Sequence, residues 1–178
     1  MFSGRGGLDG GLQIQSTAAT IVTLSSVLTV AAEIRTVPGR GGYVFAKTSA
    51  DGAARYWSLY LSSSTKEARV YATVADSNGV AIRKVLRFKA DLTDGALHKV
   101  LLLRDQDAVW MIVDGKQVGA IQSLGGANGY TLTDCGGAGP DCVTYLGQRA
   151  SSTGGGAYRY AGFIERLQMF NSVLSAHP

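Results

Sequence analysis

Apolar and polar residues alternate with a period of two in segment after segment of the chain. Leu28, Val30, Ala32 and Ile34 interleave with Thr29, Ala31, Glu33 and Arg35, the pattern of a strand with one buried and one wetter face. Pro38-Gly39-Arg40-Gly41-Gly42 then turns the chain into Tyr43-Val44-Phe45-Ala46-Lys47, which predicts a hairpin. Asp51-Gly52 precedes Tyr56–Leu61, Ser62-Ser63-Ser64 closes that run, and Arg69–Val74 follows. Asn78-Gly79, the strongest short hairpin signal, joins it to Ile82–Phe88. Asp94-Gly95 opens Leu97–Arg104, the polar Asp105-Gln106-Asp107 turns it, and Val109–Val113 leads through Asp114-Gly115 to Gln117–Ala120. Strands thus recur about every ten to fifteen residues, the spacing of an all-β sandwich or barrel.

The remaining segments are less regular. Phe163–Phe170 reads equally as a helical stripe or as a final strand, and Ser172–His177 as a short closing turn. Gly125–Gly139 holds Gly125, Gly126, Gly129, Gly136, Gly137 and Gly139 and is the longest irregular tract; a loop of that length in a compact domain is usually functional or mobile. The richest apolar window, Thr17–Ile34, is interrupted by Thr, Ser and Glu, and no run approaches the roughly 18 apolar residues of a spanning helix, so membrane insertion is not expected. The first seven residues lack the apolar centre of a signal peptide, and both ends read as cut from something longer.

Length and composition sharpen this picture. With 178 residues, 46% hydrophobic and 17% charged, residues 1–178 form one domain. Burying about 70% of its unfolded surface, such a chain needs no metal or disulfide lattice. The formal charge of +4 gives a mild preference for acidic partners. Cys135 and Cys142 are separated by six residues rich in Gly and Pro. That spacing lets the sulfurs meet in a local disulfide in an oxidising compartment, with two free thiols as the alternative. A zinc site lacks its further ligands, because the only histidines, His98 and His177, lie far away in sequence.

Catalytic frames are missing. Glycoside hydrolysis needs two carboxyls facing one bond, and the pair at strand spacing, Asp105 and Asp107, sits in a polar turn where solvation is the ordinary role. The three glutamates, Glu33, Glu67 and Glu165, stand apart. There is no nucleophile elbow, zincin helix or phosphate loop, and His98 has no evident nucleophile beside it, which leaves it as a strand histidine satisfied by a neighbouring carbonyl. Arg83, Arg87 and Lys89 share one strand face by the period-two rule, with Lys99 and Arg104 on the following strand, a cationic strip suited to a sulfated glycosaminoglycan such as heparin. The strip has no interleaved aromatics for base stacking, which argues against nucleic acid.

One ordered set of motifs carries more. Asp94-Gly95-Ala96-Leu97-His98-Lys99-Val100, then Arg104, then Val109-Trp110-Met111-Ile112-Val113-Asp114-Gly115 resembles the adjacent strand pair of laminin G-like domains. Tyr145-Leu146-Gly147-Gln148-Arg149 and Tyr158–Asn171 resemble their closing strands, and Leu28–Arg35 with Gly42–Lys47 their opening pair. The resemblance spans residues 27–174 and points to the laminin G-like and thrombospondin N-terminal-like group of concanavalin A-like sandwiches. Phe163 stands where many members have Cys, and Leu97 replaces the usual aromatic before the histidine. The resemblance implies an antiparallel jelly-roll β-sandwich of about a dozen strands, extracellular or on a cell-surface ectodomain. It implies a module that recognises a protein or glycan ligand through rim loops without catalysing a reaction. It also implies a calcium site at the rim, with Asp94 as one carboxylate, the Met111 carbonyl opposite, and Asp134 or Asp141 completing the set, since calcium takes six to eight oxygens. The plain alternative is that Asp94 caps its own turn.

Overall fold

The computed structural model describes residues 12–15, 27–49, 55–75, 81–125, 131–132, 142–149, 158–170 and 172–174. Among them the chain forms β1 (Leu12–Gln15), β2 (Val27–Thr36), β3 (Gly42–Ser49), β4 (Arg55–Ser62), β5 (Glu67–Ala75), β6 (Ala81–Phe88), β7 (Leu97–Asp105), β8 (Ala108–Val113), β9 (Lys116–Gln117), β10 (Gln122–Ser123), β11 (Thr131–Leu132), β12 (Cys142–Leu146) and β13 (Gly162–Phe170). Every pairing is antiparallel. One sheet runs β1-β12-β3-β4-β5, with β6 and β11 both on β5; the other runs β10-β8-β7-β2-β13, with β9 on β8.

The core lies between the two sheets and follows from the alternation. Leu28, Val30, Ala32 and Ile34 turn inward from β2 and are buried. At one register level Val30, Leu102 and Met111 stand side by side across β2, β7 and β8. Phe45, Leu59, Val70 and Leu86 do the same across β3 to β6, and both rows belong to one buried cluster that includes Trp57 and Phe88. Fully burying each such side chain contributes about 1.5–3 kcal/mol, and this apolar layer holds the sheets together.

The structure corrects three local expectations. The turn after β2 makes no hairpin: β2 has both edges taken by β7 and β13, so Pro38–Gly42 carries the chain across to the other sheet. Gln117–Ala120 contributes only the two-residue β9; of the two readings of Phe163–Phe170 the strand is the one observed, with an irregularity between Ile164 and Arg166. Thr29, on the wetter register of β2, is nonetheless buried. The segment after β13 folds over it, the Thr29 hydroxyl donating to the Ser172 carbonyl at 2.6 Å and accepting from the Leu174 N–H at 3.1 Å. Cys135, and with it the proposed disulfide to Cys142, lies outside the described residues, as do Asp134 and Asp141.

Two crossings between the sheets meet at one end of the sandwich. Val37 N–H donates to the Ala161 carbonyl at 2.8 Å, Ala161 N–H to Gly41 at 3.4 Å, and Tyr43 N–H to Tyr158 at 3.1 Å. Gly42 sits at φ +136°, and a Cβ there would lie 2.2 Å from the Arg159 carbonyl oxygen; one on Gly162 would meet the Arg35 carbonyl at the same distance. Gly39, in the same turn at φ +70°, has open space around it. Gly42→Ala therefore costs about 3 kcal/mol, combining backbone strain with a backbone clash, whereas Gly39→Ala costs about 1 kcal/mol. Thermal melts check this: at roughly 2–4 °C per kcal/mol for a chain of this size, the Gly42 variant melts well below the Gly39 variant. Equal losses would show that the close approach is not what requires glycine.

Candidate functional site

The outward positions of β3, β4 and β5 carry tyrosines. Period two puts Tyr60 on the face opposite buried Leu59 and Leu61, and Tyr71 opposite Val70 and Ala72. Register sets Tyr43, Tyr60, Arg69 and Arg87 in one row across β3 to β6, with Ser58, Tyr71 and Val85 in the next. The Tyr43 and Tyr60 rings are 4.9 Å apart at 55°, and Tyr71 lies 6.1 Å from Tyr43. Tyr158, from the second crossing, stands edge-on to both Tyr43 and Tyr60 at 6.3 and 6.4 Å. It is 62% exposed and has a φ of +55°, which an aromatic residue adopts at a cost of about 1–2 kcal/mol. The result is a shelf of four aromatic rings on the outer face of the seven-stranded sheet.

Arg149 lies against this shelf. Gly147 N–H donates to the Val44 carbonyl and the Gly147 carbonyl accepts from Tyr160, which fixes the chain two residues before the arginine. The guanidinium carbon is 4.9 Å from the centre of the Tyr158 ring and 5.7 Å from that of Tyr43, within cation–π range. Its Nε is buried and has no hydrogen-bond partner among the described residues, and no carboxylate there pairs with it. Among the described residues this guanidinium thus has no counter-charge, and a guanidinium in that state has the charge and fork of donors that suit a carboxylate.

The other two arginines of the row are committed. Glu67 Oε2 accepts from the Thr65 hydroxyl at 3.0 Å and from Arg69 Nε and Arg87 Nη1, each at 3.1 Å. The Thr65 bond leads, working with the two guanidiniums against a burial cost, in holding the Glu67 carboxyl below its usual range. Burial works against the Arg69 cation, but its bonds to Tyr71 and Glu67 outweigh this and raise it. This part of the face keeps one positive charge in excess, and its carboxylate and guanidiniums are fixed acceptors and donors.

The residues singled out from sequence are scattered. Arg83 and Arg87 are exposed on β6 and Lys89 follows its end, but Lys99 belongs to the other sheet. Arg104 is buried, its Nε donating to the Gln106 carbonyl at 2.8 Å, and burial pushes its guanidinium below the ordinary value. The five cations form no single strip, because the link between β6 and β7 changes sheets. Of the proposed calcium ligands, Asp94 Oδ1 accepts from Ala96 N–H at 2.8 Å, a turn cap, and the Met111 carbonyl accepts from Val118 N–H at 2.9 Å. No group of three His, Cys, Asp or Glu side chains among the described residues is placed to hold a metal ion.

His98 is satisfied by two carboxylates and not by a carbonyl. Its Nδ1 is 2.8 Å from Asp114 Oδ2 and its Nε2 is 3.0 Å from Asp94 Oδ1, so the Asp94-Gly95-Ala96-Leu97-His98 and Val113-Asp114-Gly115 motifs form one clamp between two turns. Burial lowers the His98 value, but the bonds to Asp114 and Asp94 outweigh it, and the net shift is upward. Asp94 is held below its ordinary value by the Ala96 N–H and then by His98. Burial raises Asp114, and the bonds from His98 and Lys99 N–H more than reverse this.

The tyrosine shelf was not identified from sequence, although the period-two pattern already placed Tyr60 and Tyr71 away from the core. Arg149 had no such signal, since its position depends on a crossing that joins distant strands.

No protein-family model matches the chain, and no curated protein matches it. Solved structures do. The CBM40 of Ruminococcus gnavus IT-sialidase, bound to α2,3-sialyllactose, aligns with a TM-score of 0.66 at 20% identity over 89% of this chain and 82% of that one. Domains LG4-5 of the mouse laminin α1 chain give 0.63 at 16% identity over 93% of this chain and 40% of that one. The SAP-like pentraxin of Limulus polyphemus gives 0.56 at 16% over 85% and 67%. At these identities the likeness establishes the fold: the chain is an antiparallel jelly-roll sandwich of the concanavalin A-like kind, as the motifs implied.

The clamp yields a pH test. The raised His98 value contributes stability that is full below about pH 6.5 and lost as pH rises through the folded value; the lowered Asp94 and Asp114 values contribute stability present above about pH 4 and lost as pH falls through theirs. The clamp is therefore strongest between these limits. His98→Asn lowers the melting temperature by about 2–4 °C near pH 5.5, the effect of about 1 kcal/mol, and by less near pH 8.5. An equal loss at both values would remove the charged clamp.

Proposed function

We propose that this chain is a non-catalytic recognition module that binds a carboxylate-bearing glycan, of the sialylated class, on the outer face of its seven-stranded sheet. The observation that carries this reading is Arg149, stacked on Tyr43 and Tyr158 with a buried, unpartnered Nε. A sugar presents an apolar C–H face and a hydroxyl edge. The rings of Tyr60, Tyr71 and Tyr158 take the first, and the Glu67–Arg69 pair takes the second. A sugar carboxylate on Arg149 then receives the charge-assisted bonds that the guanidinium does not make to a carboxylate among the described residues.

The R. gnavus module of the same fold, with sialyllactose bound, supports this ligand class. Glu67, the carboxylate among the tyrosines, is kept ionised by its three donors. That suits it to accept hydrogen bonds and not to donate a proton to a leaving group, so binding without hydrolysis is the reading. An extracellular or cell-surface setting, where such glycans occur, goes with it. No helix of the described residues is long and apolar enough to cross a membrane.

Isothermal titration or saturation-transfer NMR with α2,3-sialyllactose and lactose tests the proposal. Wild type is expected to bind sialyllactose with Kd on the order of 0.1–1 mM, equivalent to about −4 to −5.5 kcal/mol, and lactose at least tenfold more weakly. Arg149→Ala loses at least tenfold, about 1.4 kcal/mol, and removes the preference over lactose; Tyr60→Ala weakens both sugars. Equal binding of the two sugars by wild type, or an unchanged affinity in Arg149→Ala, would overturn the assignment.

A further inference from the structure

The opposite side of the molecule, the outer face of the six-stranded sheet, carries a second pattern. Gln168, Ala31, Leu101 and Ile112 stand in register across β13, β2, β7 and β8, and the next level holds Arg166, Glu33 and Lys99. Together they line a groove of about 250 Å³ with an apolar floor and a charged rim. Beyond it, Phe163 stands 68% exposed in register with Arg35 and the part-exposed Leu97. Glu33 and Arg166 are 3.7 Å apart, a loose pair with the arginine mostly in solvent.

We infer that this face pairs with a second copy of the chain, through a two-fold axis running along the strands between β2 and β7. The argument is self-complementarity. Such an axis lays β2 of each copy over β7 of the other, so every contact across it occurs twice. Glu33 then falls on the second copy's Lys99, and Lys99 on its Glu33. One level along, the small Ala31 falls on the larger Leu101, and Leu101 on Ala31, which keeps the gap between the sheets even at about the 10 Å of stacked sheets. Arg166, one strand outward, meets the second copy's turn after β8, where the Asp114 carboxylate is 49% exposed.

Other two-fold arrangements of the same face are worse. An axis along β2 stacks Glu33 on Glu33, and an axis across the strands through the Arg166–Glu33–Lys99 level stacks each of those charges on itself. An axis between β13 and β2 also faces Arg166 with Glu33, but β13 is the sheet edge, so it leaves Lys99 and Leu101 of β7 with no facing strand. The order of charges and the Ala31–Leu101 interleaving together therefore favour the axis between β2 and β7.

Sedimentation velocity and light scattering on the full chain over a wide concentration range test this inference independently of glycan binding. Wild type is expected to shift from the mass of one chain to that of two as concentration rises. Glu33→Lys, which sets Lys99 against a new lysine twice per dimer, weakens association at least tenfold, and Leu101→Glu abolishes it. The double exchange Glu33→Lys with Lys99→Glu restores association to within about threefold of wild type, because both members of each pair invert. Should Leu101→Glu fail to fold, Ala31→Arg blocks the same floor from an outward position. A single-chain mass at every concentration would overturn the pairing, as would a dimer indifferent to Glu33→Lys or one that the double exchange does not restore.

Discussion

The backbone contact between the two crossings, residues 37–42 and 158–162, is the constraint on which both the sandwich and its tyrosine face depend. Two segments leave their sheets at the same end and run against each other so closely that a Cβ on Gly42 would meet the Arg159 carbonyl oxygen at 2.2 Å, while one on Gly162, where the second segment joins β13, would meet Arg35 of β2 at the same distance. That approach lets Val37 bond to Ala161 and Tyr43 to Tyr158. The second bond also sets the backbone from which two of the four shelf rings project. The Tyr160 hydroxyl, bonded to the Thr36 hydroxyl at 2.9 Å and pushed by burial to a pKa of about 12, seals the inner side of the same junction. A polar group so enclosed costs free energy unless it is bonded, and the Thr36 contact meets that demand.

The two outer faces differ in kind because their strands were given different residues at the solvent positions. On the seven-stranded sheet those positions are aromatic and arginine-rich, and the Arg149 guanidinium among the rings has no carboxylate partner among the described residues. On the six-stranded sheet they are small, aliphatic or oppositely charged in neighbouring strands. The apolar layer between them is indifferent to this distinction, so one core carries two outer faces of different chemistry. The His98 clamp sits at the rim and ties two turns together, which explains why the most family-like motif of the sequence lies away from the tyrosines.

Much of the architecture was legible from residue patterns. The alternation in Leu28–Arg35 placed a strand correctly, and the expected pairing of the runs on either side of Asn78-Gly79 is the β5–β6 pair, although Asn78 and Gly79 themselves lie outside the described residues; burial on one face is a local demand. The partner of β2 was not legible. Pro38–Gly42 has the composition of a hairpin turn, and nothing local tells that both edges of β2 are reserved for strands far along the chain. The cationic strip failed for the same reason: period two correctly grouped Arg83 and Arg87, but adding Lys99 and Arg104 assumed that consecutive strands share a sheet. The tyrosine shelf shows the converse. Each ring's direction could be read from its strand, whereas their convergence with Arg149 rests on register across strands and on the crossing.

The position of β2 has a consequence for how the chain is made. It is the next-to-edge strand of its sheet, with β7 on one side and β13, the edge strand and the last among the described residues, on the other. On an emerging polypeptide β3 to β6 can pair in succession and cover the inward Leu28, Val30 and Ile34 of β2, while the edge of β2 that bonds to β13 stays open until Gly162–Phe170 has been made. Completion of the six-stranded sheet is thus a late, long-range event, and in the interval the unpaired N–H and C=O groups along one side of β2 are a template open to other strands.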